Sequence, residues 1–135
     1  MTLWLDLTLS ALMGYLFGNL NGAILISRLV KHEDVRTHGS GNAGLTNFLR
    51  SYGGAVTLIV VLIDFGKTVA ACLLATLFLP RDPLLAKIVA GAGVQLGHVF
   101  PVFFGFHGGK GILCGAAIAL VTDWRVFAIA MPVFI

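Results

Sequence analysis

Residues 55–79 read AVTLIVVLIDFGKTVAACLLATLFL. The run is long enough to cross a bilayer as one helix, since a span needs about 20 apolar residues. Its only charges are Asp64 and Lys67, three residues apart and hence on one helix face. Charges inside a membrane span are costly and mark function or a buried ion pair. Composition agrees with a membrane chain. Of 135 residues, 58% are hydrophobic and 11% charged, against roughly 25% charged in a soluble domain. No single water-soluble core could hide that much apolar surface. The reading is an all-α, polytopic integral membrane protein forming one transmembrane domain over residues 1–135.

Outward from this helix, the chain alternates apolar runs with short polar stretches. Leu3–Val30 precedes it, and its length predicts one tilted helix. Gly14, Gly18 and Gly22 recur every four residues and offer a bare stripe to a neighbour. Asn19 and Asn21, near the end of that run, are expected to hydrogen-bond to adjacent helices. Pro80-Arg81-Asp82-Pro83 predicts a tight turn. Leu84–Phe104 is the third span and carries His98 near its end. Ile112–Val121 is a short fourth, giving four complete helices. Val126–Ile135 begins a fifth that is too short to cross, so the chain is expected to be incomplete at its C-terminus. Cys72 and Cys114 fall inside apolar runs and read as small core hydrophobes.

Two polar islands remain, residues 31–54 and 105–111. In the first, Gly39 and Gly41 allow a backbone nest for an anion. Ser40 or Asn42 is expected to cap a helix beginning near Ala43. On that helix Ala43, Asn47 and Arg50 would share a stripe. The second island is Gly105-Phe106-His107-Gly108-Gly109-Lys110-Gly111, whose glycines and lysine also suit an anion. Residues 39–44 match the dinucleotide pattern G-x-G-x-x-G, but no strand or βαβ unit surrounds them. Residues 108–111 fail as a nucleotide P-loop, because Phe104 replaces its first glycine and Gly111 its serine or threonine. His32, His38, His98 and His107 lack metal-ligand spacing, so neither metal nor cofactor is expected. No basic cluster with interleaved aromatics appears, so no nucleic-acid partner is expected. Arg28, Lys31, Arg36, Arg50 and Lys110 lie on the island side, against Arg81, Lys87 and Arg125 on the other. The positive-inside rule places both islands in the cytoplasm.

These motifs resemble a known family. Ser40-Gly41-Asn42-Ala43-Gly44-Leu45-Thr46-Asn47-Phe48-Leu49-Arg50 is similar to the first motif of the bacterial membrane acyl-phosphate:glycerol-3-phosphate acyltransferases. His98-Val99-Phe100-Pro101 followed by Gly108-Gly109-Lys110-Gly111 is similar to the second. Asp64 and Lys67 fall where that family has an acid and a lysine. The resemblance implies transfer of a fatty acyl group from acyl-phosphate to glycerol 3-phosphate, giving lysophosphatidic acid for phospholipid synthesis in the bacterial cell membrane. It implies catalytic roles for Ser40, Arg50 and Lys110. Substrate binding would fall to Gly41, Asn42, Asn47, Gly108, Gly109 and Gly111, with His98, Asp64 and Lys67 as further candidates. It also implies seven helices, and a third motif beyond Ile135. Cys114 stands where the family usually has threonine. The alternative is a small transporter or channel subunit with Asp64, Lys67 and His98 along its path.

Overall fold

The computed structural model describes residues 2–134. Those residues hold seven α-helices, and no strand is found among them: α1 (Leu3–Gly18), α2 (Gly22–Val30), α3 (Leu45–Tyr52), α4 (Gly54–Ala75), α5 (Pro83–Val99), α6 (Ile112–Thr122) and α7 (Trp124–Phe134). Three stretches are long and apolar enough to cross a membrane: Leu3–Val30, Gly54–Ala75 and Pro83–Phe104. The two later runs form shorter apolar helices. α4 has 22 residues, which is about 33 Å of helix against a hydrocarbon core of about 30 Å.

The first span departs from the single helix expected from its length. It breaks at Asn19-Leu20-Asn21. Asn21 is extended, and its side chain accepts from the Ile24 amide at 3.0 Å, so it starts a new helix as an N-cap. A break at membrane depth exposes backbone groups that lipid cannot satisfy. Here α4 satisfies them. Lys67 donates to the carbonyls of Gly18 and Leu20 at the C-terminal end of α1. Asp64 accepts from the Gly22 amide at the first turn of α2. The cation thus sits at a helix C-terminus and the anion at a helix N-terminus, the arrangement the helix dipoles favour.

The glycine stripe brings backbones together, with a division at the break. A side chain at Gly14 would strike the Ala90 carbonyl, and one at Gly18 would strike Val94 and Gly97, all on α5. Gly93 and Gly97 reciprocate against Ala11 and Tyr15 of α1. Gly22, beyond the break, faces Val60 and Asp64 of α4 instead. At the turn end, Asp82 accepts from the Leu85 amide and Pro83 opens α5, so the short turn forms as expected. Arg81 reaches Asp6 of α1 there at 3.0 Å. Cys72 and Cys114 are buried and free. Leu84–Phe104 is also divided: α5 ends at Val99, and Val102–Phe104 form a single 3-10 turn after Pro101.

Candidate active site

Both islands meet at one end of the helices. Asn21 donates to the Ala43 carbonyl of the first at 3.0 Å. Asn19 accepts from the Phe103 amide beside the second at 3.2 Å. The two asparagines therefore do bond to neighbouring segments, and their targets are loop backbone. Arg36 ties the islands together directly. Its guanidinium donates to the carbonyls of Phe104, at 2.7 Å, and His107, at 3.0 Å. Asp34 accepts from Arg36 through both carboxylate oxygens and also from Arg28. Hydrogen bonds from the Arg36 side chain hold the Asp34 carboxyl well below the usual carboxylate range, against the opposing pull of burial.

Between the islands lies an open cleft of about 590 Å³. Ser40, Gly41 and Asn42 line one side, and Gly108, Gly109 and Lys110 the other, with Phe106 and His107 beside them. Six of the residues expected at the site are thus brought together. Lys110 is exposed, and among the described residues its ammonium makes no hydrogen bond or ion pair. Arg50 is exposed in the last turn of α3 and is not among the residues lining this cleft. Gly111 is buried and lines a separate apolar groove with Gln95 and Phe127.

Several local expectations are corrected. α3 begins at Leu45 with Gly44 as its N-cap, and neither Ser40 nor Asn42 caps it. Ala43 lies before the helix, so the stripe of Ala43, Asn47 and Arg50 does not form. Asn47 is buried, and its amide is consumed by the protein: it accepts from the Ser40 amide and donates to the carbonyls of Val35, His38 and Asn42. Asn47 shapes the first loop from beneath. Gly39 and Gly41 do adopt positive φ, +53° and +73°. Yet the Gly41 amide donates to His38, and those of Gly108 and Gly109 donate to Val99 and His98. These three N–H groups do not face an anion. A side chain at Gly108 would strike the His98 carbonyl, and one at Gly109 the Ala43 carbonyl and the His98 ring. Close approach of backbone is what these two positions require.

Beneath the second loop sits a closed polar cluster. Lys67 Nζ lies 2.8 Å from Asp64 Oδ1 and 3.0 Å from His98 Nδ1. The side chains of Asp64, Lys67 and His98 are 2%, 3% and 4% exposed. They pair with one another and with backbone, so they do not line an open path as the transporter alternative requires. Asp34, and the role of Arg36 in joining the islands, have no counterpart in the sequence reading. Arg36 gave no local signal, because its carbonyl partners lie 68 and 71 residues away.

The fold and cleft define an all-helical integral membrane protein with a two-loop cleft at one end. A family model described as glycerol-3-phosphate acyltransferase matches residues 8–135, and the chain belongs to that family. A glycerol-3-phosphate acyltransferase of Mycoplasmopsis agalactiae is 37% identical over 134 residues, covering 92% of this chain and 56% of the relative. That of Shouchella clausii is 42% identical over 107 residues, covering 79% and 52%. The chain therefore spans little more than half the length of these relatives. The crystal structure of PlsY (YgiH), an integral membrane glycerol 3-phosphate acyltransferase, in its glycerol 3-phosphate form, superposes with a TM-score of 0.81 at 31% identity. The match covers 93% of this chain and 62% of that one. The lysophosphatidic acid form of the same protein gives 0.77 at 29% identity, covering 93% and 61%.

Proposed function

We propose that this chain carries the phosphate-handling part of an acyltransferase that moves a fatty acyl group from acyl-phosphate to glycerol 3-phosphate. The observation that carries the reading is the cleft, where Ser40, Gly41 and Asn42 face Gly108, Gly109 and Lys110, whose ammonium has no partner among the described residues. Both substrates are anionic and repel each other, so the site needs cations and close positioning. In the reaction the glycerol hydroxyl attacks the acyl carbonyl carbon. A carbon–oxygen ester bond forms, the acyl–phosphate bond breaks, and inorganic phosphate leaves. A substrate phosphate oxygen takes the hydroxyl proton. Lys110 stabilises phosphate charge in the cleft and Ser40 donates to a substrate oxygen, while Arg50, outside the cleft lining, takes its proposed phosphate role from the motif it closes. The product is lysophosphatidic acid, released into the lipid of a bacterial plasma membrane.

The test uses protein expressed from its complete reading frame, purified in detergent, with acyl-phosphate and glycerol 3-phosphate. Stoichiometric lysophosphatidic acid and phosphate are expected, and acyl-CoA offered instead should give neither. Failure to transfer from acyl-phosphate by folded protein rejects the reading. The excess of lysine and arginine beside both loops further supports a cytoplasmic position. Single cysteines at Thr37 and His107, in a Cys72→Ala, Cys114→Ala background, should resist an impermeant thiol reagent added outside cells. Fast labelling of either would reverse the orientation.

A further inference from the structure

The cluster under the second loop is built around the Lys67 ammonium and turns one ring nitrogen of His98 toward the loop. Lys67 Nζ is surrounded by Asp64 Oδ1 and His98 Nδ1 and by the carbonyls of Gly18 and Leu20. An ammonium has donors only. Its three N–H groups go to the three nearest acceptors, the Leu20 carbonyl at 2.7 Å, Asp64 Oδ1 at 2.8 Å and His98 Nδ1 at 3.0 Å, with the Gly18 carbonyl sharing one at 3.3 Å, so Nδ1 accepts. Asp64 Oδ1 is 3.7 Å from Nδ1, beyond hydrogen-bond reach, and the ammonium bonds to both. The imidazole proton is therefore on Nε2.

Nε2 points to the second loop. It makes no hydrogen bond among the described residues, and a Cβ on Gly109 would fall 2.5 Å from it. The same Cβ would collide with the Ala43 carbonyl, which Asn21 already holds. The Gly109 amide donates to the carbonyl of His98 itself at 3.1 Å. Gly109 is thus pinned by its amide, by the imidazole edge and by the first island. Lys110 is the next residue in the chain. Any tilt of the ring is passed to it across one peptide.

We propose that His98, locked as its Nε2–H tautomer by the buried Lys67, is a positioning residue that fixes the glycine loop and so aims Lys110 at the anion. The inference rests on the cleft being the phosphate site. His98→Asn separates positioning from simple support. The amide oxygen overlays Nδ1 and keeps an acceptor for Lys67, while the ring edge against Gly109 is lost.

The experiment uses the protein from its complete reading frame, labelled with 15N-histidine, in detergent micelles. The signal that vanishes in His98→Asn identifies His98. It should show the Nε2–H pattern and shift when inorganic phosphate is added. His98→Asn should melt like the parent, with KM for glycerol 3-phosphate raised roughly ten- to a hundred-fold and kcat lowered less, the scale of a misplacement of about 1 Å. An Nδ1–H or imidazolium pattern overturns the lock. Parental KM in His98→Asn, or no phosphate-induced shift, overturns the positioning role. If His98→Asn does not fold, tautomer and phosphate shift in the parent decide alone, with His98→Gln as the assigning variant. A parent that shows the tautomer and the shift yet transfers no acyl group rejects the proposed reaction and leaves this inference standing.

Discussion

Lys67 and Lys110 are the same residue in opposite circumstances. Lys67 is 3% exposed and surrounded by four acceptors across the break in the first span. Lys110 stands exposed at the mouth of the cleft. The usual expectation is that an intramembrane charge is the functional one. Here the buried charge is spent on architecture, because a broken helix leaves carbonyls that only a donor at that depth can satisfy. The charge at the surface has no side-chain partner among the described residues, and it is the one proposed to meet an anion. Partners, more than depth, separate the two roles.

The largest expected effect tests the buried member. Lys67→Met leaves the Asp64 carboxylate and two carbonyls without their donor, a loss of about 3–5 kcal/mol. A steep fall in melting temperature in detergent is expected. Adding Asp64→Asn, which keeps an acceptor for Gly22 and removes the unpaired charge, should recover part of it. A Lys67→Met protein that melts like the parent would erase the distinction between the two lysines.

Lys110→Ala should do the converse. Melting should stay parental while turnover falls roughly 30- to 1,000-fold, the value of a charge-assisted phosphate contact of about 2–4 kcal/mol. Arg50→Ala should act in the same way. Arg50→Lys should restore only part, since lysine lacks the planar two-pronged contact. Folded Lys110→Ala and Arg50→Ala proteins with parental rates would overturn the phosphate contacts proposed for these two residues.

Gly18→Leu probes the backbone contact above the break. Its side chain would enter the Val94–Gly97 stretch of α5, and a cost of about 1–3 kcal/mol is expected from overpacking. A parental melting curve would mean that α1 and α5 do not meet there. The smallest effect concerns the strut between the islands. The folded Asp34 carboxyl is depressed. Its contribution is therefore present above the unfolded value of about 3.9 and is lost as pH falls through the folded value. Melting temperature against pH should drop on the acid side, and Asp34→Asn should flatten that limb. An unchanged slope in Asp34→Asn would assign the acid loss to other groups.

The sequence by itself determined the membrane class, the order of apolar runs, the glycine contacts and the two islands. These are written in hydropathy and local spacing, and each can be read within one stretch of chain. Only tertiary structure decided the break at Asn19–Asn21, because the length of an apolar run does not record whether its backbone bonds continue. It also decided that Asn47 is consumed inside the first loop, and that the Gly108 and Gly109 amides serve the carbonyls of Val99 and His98. Arg36 as the strut, and His98 against Gly109, were equally out of reach. Their partners lie in other islands or helices, and a hydrogen bond between residues far apart in sequence leaves no periodicity in either segment.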